Sequence, residues 1–187
     1  MNGIIPCSER LLILVGPSGV GKDTVMTAWR EAVLHRGGRL RLARRTITRP
    51  AGSGGEAHEA LTDAQWQAAC EAGDFSLHWR ANGLAYGVRP RELQALEEGP
   101  VLLNGSRAAL PAIRLLAPRC RVVQLSASAA SLAERLRIRG REDEQAIEAR
   151  LARSAPVQAD FSVSNDGTVA DCVAALIGWW DAASRGS

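Results

Sequence analysis

The residues with the clearest chemistry stand near the start of the chain. Gly16, Pro17, Ser18, Gly19, Val20, Gly21, Lys22, Asp23 and Thr24 follow the apolar run Leu11–Val15; they hold three glycines in six residues and then the only lysine in the sequence. Glycines let successive backbone N–H groups converge on an anion, and a helix starting near Asp23 would turn the positive end of its dipole toward that anion. Lys22 would place a point charge on phosphate oxygens. The spacing Gly16-x4-Gly21-Lys22 is the P-loop pattern with one departure: Asp23 stands where Ser or Thr normally offers a hydroxyl to Mg2+, and Thr24 follows. Asp23 and Thr24 are therefore the candidate metal residues of a nucleotide-phosphate site.

A second polar cluster, Arg44-Arg45-Thr46-Ile47-Thr48-Arg49-Pro50, ends the run Leu40–Thr46, whose alternation reads as a strand. Ligands of open α/β sheets bind at the carboxyl ends of strands, which makes this cluster a second candidate site. Of the 23 basic residues 22 are arginine, so arginine carries meaning only where it clusters.

The elements that must position these groups follow from pattern. Leu11–Val15 fits a strand buried on both faces. A helix continues from Val25 to Leu34, with Val25, Met26, Trp29, Val33 and Leu34 on one broad face, and Gly37-Gly38 ends it. Ala51–Gly55 reads as a flexible loop. Thr62 and Gln65 form a capping box that predicts a helix over Asp63–Ala72, stopped by Gly73. Phe75–Trp79 and Leu84–Val88 read as strands around the turn Ala81-Asn82-Gly83. Pro90 opens a helix that Gly99 closes. Val101–Leu103 and Arg121–Leu125 read as strands flanking a helix over Ala108–Leu116. A helix from Ser131 runs into the charged break Arg139–Glu144 and resumes through Ile147 and Leu151. Phe161–Ser164 is a last strand, Asn165-Asp166-Gly167 a turn, and Val169–Ala183 a final helix. Strands alternating with helices predict an α/β fold around a parallel sheet.

At 187 residues the chain reads as one domain. A formal charge of +3 is too small to suggest a general nucleic-acid binder. Cys7, Cys70, Cys120 and Cys172 lie at least 50 residues apart, which argues against zinc and against a disulfide framework. With no long hydrophobic run, the expectation is a soluble, cytoplasmic protein with neither nucleic-acid nor membrane partners. The sequence leaves the oligomeric state open.

Six segments, in order, carry a family resemblance: Gly16-Pro17-Ser18-Gly19-x-Gly21-Lys22-Asp23; Ile47-Thr48-Arg49; Trp79-x-Ala81-Asn82-Gly83-Leu84-x-Tyr86-Gly87-Val88; Asn104-Gly105-Ser106-Arg107; Arg139-Gly140-Arg141-Glu142; and Asn165-Asp166-Gly167. From Leu11 to Leu176 the chain resembles the guanylate-kinase-like branch of the nucleoside-monophosphate kinase fold, and within it most resembles the ribose 1,5-bisphosphate phosphokinases of bacterial phosphonate breakdown. The resemblance implies a P-loop three-layer fold with a central parallel sheet. It implies a core over about 10–43 and 100–183, an acceptor-binding insertion over about 44–99, and an arginine lid over about 135–153. It also implies ATP and Mg2+ as cofactors. Arg45, Thr48, Arg49 and Tyr86 match the family's grip on the acceptor phosphate, Arg135, Arg139 and Arg150 its lid arginines, and Asn165 a position near the donor adenine.

The family's guanine readers are absent: a glutamate, a serine and an aspartate are replaced by His78, Val88 and Asn104. A carboxylate accepts from guanine N1–H and the amino group together, and these residues cannot reproduce that pair of contacts. The implied acceptor is therefore a phosphorylated sugar, ribose 1,5-bisphosphate, converted to 5-phospho-α-D-ribose 1-diphosphate. Arg107, with His78, Arg80 and Asn104, is expected to line the vacated base pocket. An acceptor that is already a phosphate needs no general base. Two other readings remain at this level: a nucleoside-monophosphate kinase of altered base specificity, and a non-catalytic interaction module of the same fold.

Overall fold

The computed structural model describes residues 3–50, 56–139 and 157–185. The loop read at 51–55, the charged break from 140 to 144 and the resumed helix after it lie outside the described residues. In chain order the main elements are β1 (Leu11–Val15), α1 (Lys22–His35), β2 (Arg41–Leu42), β3 (Arg45–Ile47), β4 (Glu59–Ala60), α2 (Asp63–Glu71), β5 (Leu77–Ala81), β6 (Leu84–Val88), α3 (Pro90–Gln94), β7 (Val101–Asn104), α4 (Leu110–Leu116), β8 (Arg121–Ser126), α5 (Ala129–Arg139), β9 (Phe161–Ser164) and α6 (Val169–Arg185). One sheet has the order β2-β7-β1-β8-β9 and a smaller one β4-β3-β6-β5. All five side chains of β1 are fully buried, as its unbroken apolar run requires of a strand covered on both faces. The chain parts into two compact units, residues 1–13 with 39–121 and residues 14–38 with 122–187.

In the first unit, β2 pairs in parallel with β7, Arg41 opposite Val101 and Leu42 opposite Leu102. The single strand expected over Leu40–Thr46 is in fact two, in different sheets. Ala43 N–H still donates to Leu102 O at 2.9 Å, but the next amide, Arg44, donates to the buried Glu92 carboxylate at 3.0 Å instead of to a strand. The ladder breaks there, and β3 goes on to pair with β6 and with β4. β4 is only two residues long and the sequence reading did not find it.

β5 and β6 form the expected hairpin. Its turn residues Asn82 and Gly83 both have positive φ, 52° and 74°, as a two-residue primed turn requires. The turn fixes the register, with Trp79 opposite Tyr86 and His78 opposite Gly87. α2 is held by its capping box: Thr62 Oγ1 accepts from Gln65 N–H at 3.2 Å, and Gln65 Oε1 accepts from Thr62 N–H at 2.9 Å. The helix lays Trp66 and Ala69 on Phe75 and Ala85, which form a small core. Gly87 belongs to the same face, where a Cβ would come within 2.4 Å of the Phe75 ring.

In the second unit, α1 and α6 pack together and are tied at the surface by Arg36 and Asp181 at 2.7 Å. Val25, Met26 and Trp29 of α1 are buried, and burying such side chains contributes about 1.5–3 kcal/mol each. Leu34, expected on the same face, is 45% exposed. β8 and β9 pair in parallel from Val123 and Phe161 to Ser126 and Ser164. Phe161 stacks on Trp179 of α6 with ring centroids 5.3 Å apart. Among the described residues no helix is long and apolar enough to cross a membrane.

Candidate active site

The glycine turn leaves β1 at Gly16, where backbone and neighbour crowd: a Cβ on Gly16 would lie 2.4 Å from Leu125 O of β8. Gly21 has φ of 93°, in the left-handed region, and a Cβ there would meet Asn165 Nδ2 at 2.7 Å. Lys22 begins α1, and its Nζ donates to Gly16 O and Pro17 O, both at 3.0 Å. The ammonium is thereby held over the turn it follows in sequence.

A second set of bonds braces the same turn. Val20 O accepts from Asn165 Nδ2 at 2.8 Å and from Arg135 Nη1 at 3.2 Å, while Arg135 Nη2 donates to Asn165 O at 2.6 Å. Asn165 is almost wholly buried, and its Oδ1 has no hydrogen-bond donor among the described residues. Asp166, next in sequence, accepts from Ser128 N–H at 2.8 Å just before α5 and from Ser164 Oγ at 2.8 Å. The Ser128 backbone N–H, then the Ser131 and Ser164 hydroxyls, hold its carboxyl far below the usual carboxylate range. Arg135 and Asn165 are thus fixed to the same turn–helix frame as the glycine loop. Arg139 is the last residue of α5, while Arg150 and most of the lid expected over 135–153 lie outside the described residues.

The first unit gathers the acceptor candidates. Arg45 Nε donates to Glu56 Oε1, and the other carboxylate oxygen, Oε2, accepts from Asn104 Nδ2 at 3.2 Å. The Arg45 guanidinium also lies 4.9 Å over the Tyr86 ring, which stacks on Trp79 at 5.4 Å. Arg49 Nη2 is 3.4 Å from His58 Nδ1, and Arg49 O is 3.1 Å from His58 Nε2. Arg49 Nε is buried with no acceptor among the described residues. Thr48 is built into the small sheet: its N–H donates to Ala85 O at 3.0 Å and its Oγ1 accepts from Ala85 N–H at 2.9 Å.

Not every expected site residue joins this group. His78 pairs with Gly87 and Trp79 with Tyr86, so alternation puts His78 and Arg80 on the opposite face of the sheet from Tyr86. There His78 meets Trp66 edge-on at 5.8 Å and the Arg80 guanidinium lies 4.8 Å over the same indole. Arg107 starts a short turn of 3-10 helix after β7. The sequence reading missed Glu56 and His58, which contact Arg45, Asn104 and Arg49, and Glu59. Glu59 accepts from Arg89 Nη2 at 2.9 Å and from Thr46 Oγ1 at 2.9 Å. The Arg89 hydrogen bond holds the Glu59 carboxyl below its ordinary range, against the opposing effect of partial burial. Glu56-x-His58-Glu59 packs three titratable groups into four residues, the one local signal that set it apart from the loop before it.

No family model matches the sequence. The chain is 43% identical over 176 residues to the ribose 1,5-bisphosphate phosphokinase of Pseudomonas paraeruginosa, covering 91% of this chain and 94% of that one. The chain belongs to the ribose 1,5-bisphosphate phosphokinase family. It is also 45% identical over 179 residues to a bifunctional ribose 1,5-bisphosphokinase-thymidine phosphorylase of Azorhizobium caulinodans, covering 91% of this chain but only 26% of that longer protein. Among solved structures, guanylate kinase from Anaplasma phagocytophilum matches with a TM-score of 0.67 at 16% identity, over 96% of this chain and 85% of that one. At that identity the likeness shows the fold: an α/β P-loop fold of the nucleoside-monophosphate-kinase kind, as the six motifs implied.

Proposed function

We propose that this member of the ribose 1,5-bisphosphate phosphokinase family transfers the γ-phosphoryl group of ATP to the 1-phosphate of ribose 1,5-bisphosphate, giving 5-phospho-α-D-ribose 1-diphosphate and ADP. The observation that carries the reading is the group Arg45 and Arg49, two planar anion grips, joined with Asn104 by one tripeptide and with the Tyr86 ring against Arg45, in a chain that is 43% identical to a phosphokinase of that name. Neither a nucleoside-monophosphate kinase nor a non-catalytic module is favoured, since the curated relatives carry the sugar-phosphate name and Lys22 with its glycines is intact.

An oxygen of the 1-phosphate forms the new bond to the γ-phosphorus as the bond from that phosphorus to the bridging oxygen breaks, and ADP keeps the electron pair. The acceptor oxygen is already ionised, so no general base is needed. Positioning and charge neutralisation then dominate. The N–H groups of the Gly16–Gly21 turn and Lys22 Nζ hold and neutralise the donor phosphates, Arg45, Arg49 and Tyr86 hold the acceptor's phosphate, and Arg135, Arg139 and Arg150 supply further positive charge. The fit of a nucleotide to the turn rests on positions where only glycine is tolerated and on the buried Asn165 Oδ1, an acceptor awaiting a donor. Incubation with Mg-ATP and ribose 1,5-bisphosphate, followed by phosphorus NMR, is expected to show a new diphosphate on the sugar's C1. ADP release with no change in the sugar would overturn the reading.

Asp23 and Thr24, adjacent in the first turn of α1, offer a carboxylate and a hydroxyl oxygen, the hard donors that Mg2+ takes. Among the described residues no group of three His, Cys, Asp or Glu side chains is placed to hold a metal, and Mg2+ typically combines one or two protein oxygens with phosphate and water oxygens. Asp23→Ala is expected to raise the Mg2+ concentration for half-maximal rate several-fold. An unchanged magnesium dependence in both Asp23→Ala and Thr24→Ala would remove this pair from the metal site.

A further inference from the structure

We propose that Glu56 and His58 are positioning residues that aim the two acceptor arginines, and that the affinity of the acceptor site depends on this clip. The inference rests on the acceptor role given above to Arg45 and Arg49. Four contacts from one tripeptide carry it. The Glu56 carboxylate joins Arg45 Nε to Asn104 Nδ2, and both Glu56 and Arg45 side chains are largely buried, at 17% and 11% exposure. With its proton on Nε2, the His58 ring donates to Arg49 O at 3.1 Å and its Nδ1 accepts from Arg49 Nη2 at 3.4 Å. Residues 56 and 58 thus reach Arg45, Arg49 and Asn104, groups that the chain brings from β3, from just past its end, and from the end of β7.

The chemistry suits aiming better than direct binding. An arginine carries five N–H donors. Glu56 takes the one at Nε, which fixes the plane of the guanidinium against the Tyr86 ring and leaves the terminal pair for the two oxygens of a phosphate. Without the carboxylate the guanidinium regains its rotamers, and ordering it again costs part of the binding energy. A rival role exists for the same atoms: a resident carboxylate also repels an incoming phosphate. The two roles predict opposite signs for Glu56→Gln, which removes the charge and keeps the shape.

The test is steady-state kinetics on purified wild type, Glu56→Gln, His58→Ala, Arg45→Ala and the double variant Glu56→Gln/Arg45→Ala, with thermal melts and ATP affinity as fold controls. Glu56→Gln is expected to raise the acceptor KM about ten-fold or more, the loss of one charge-assisted hydrogen bond, with KM for ATP and kcat at saturating acceptor within about two-fold. His58→Ala should act the same way through Arg49. The double variant should be no worse than Arg45→Ala alone, because Glu56 works through that arginine. An acceptor KM that falls or stays fixed in Glu56→Gln, or additive effects in the double variant, would overturn the proposal. Absence of turnover by the wild type would instead sink the functional reading. The same proteins would then be compared by calorimetry on ribose 5-phosphate, where equal affinities in wild type and Glu56→Gln would overturn the clip independently of turnover.

Discussion

Lys22→Ala is expected to lower kcat by about 10²–10³ while leaving the fold intact. The ammonium is the only lysine in the chain and sits at the first residue of α1, bonded at 3.0 Å to two carbonyls of the turn it serves. Phosphoryl transfer needs little covalent chemistry, so a preorganised charge on the migrating group is a large share of what a protein supplies. Removing one such donor from a prearranged site typically costs about 2.7–4 kcal/mol of transition-state stabilisation. The fold cost is small by comparison, since the turn keeps the Arg135 and Asn165 bonds to Val20 O. Circular dichroism and a melt establish folding, and turnover with saturating Mg-ATP and acceptor gives kcat. A folded variant with near-normal kcat would show that the glycine turn is not the donor-phosphate site.

Much of this architecture was legible because each signal was local. The five apolar residues of β1 had nowhere to go but a doubly covered strand, the Thr62/Gln65 box starts α2 where it was read, and Asn82-Gly83 makes the hairpin turn. The split between β2 and β3 was not legible, because alternation is the same on both sides of Ala43. The group that interrupts the ladder is the carboxylate of Glu92, 48 residues away. β4 is too short to show a period at all.

The site divides along the same line. The glycine turn came from residue type and spacing and the Arg45–Arg49–Tyr86 set from the family resemblance, and the structure brings Arg45 over the Tyr86 ring at 4.9 Å. Glu56 and His58 follow a Gly/Ser run that reads only as loop, and their partners lie in β3, beyond β3 and in β7, which no local window spans. The side of the sheet that His78 faces was within reach of the sequence. A two-residue turn at Asn82-Gly83 fixes which residues pair, and a neighbour of Trp79 cannot share the face of Tyr86. Thr48 shows what the sequence hides: its hydroxyl oxygen accepts from the Ala85 amide, which leaves the O–H as the group it can offer a ligand.

The wild-type protein is expected to phosphorylate ribose 1,5-bisphosphate with a kcat/KM about 10⁴ above that for GMP. Guanine presents N1–H and an amino group side by side, and leaving such polar edges buried against groups that cannot pair with them costs discrimination of that order. At the three positions that read guanine in the family resemblance, none of this chain's residues offers a carboxylate. His78 lies across the sheet from Tyr86 against Trp66, Val88 is wholly buried, and Asn104 donates to Glu56. The nearby carboxylate that guanine would need, Glu56, is already shared between Arg45 and Asn104. Accepting from guanine would mean opening that pair and releasing the arginine proposed above to hold the acceptor's phosphate. A sugar bisphosphate makes no such demand: it brings phosphates to the arginines and asks nothing of the carboxylate. Competition between the two acceptors at fixed Mg-ATP, with products separated by anion exchange, measures the ratio directly. A kcat/KM for GMP equal to or above that for ribose 1,5-bisphosphate would reverse the assignment in favour of a nucleotide kinase, and would require that Glu56 swing from Arg45 to the base.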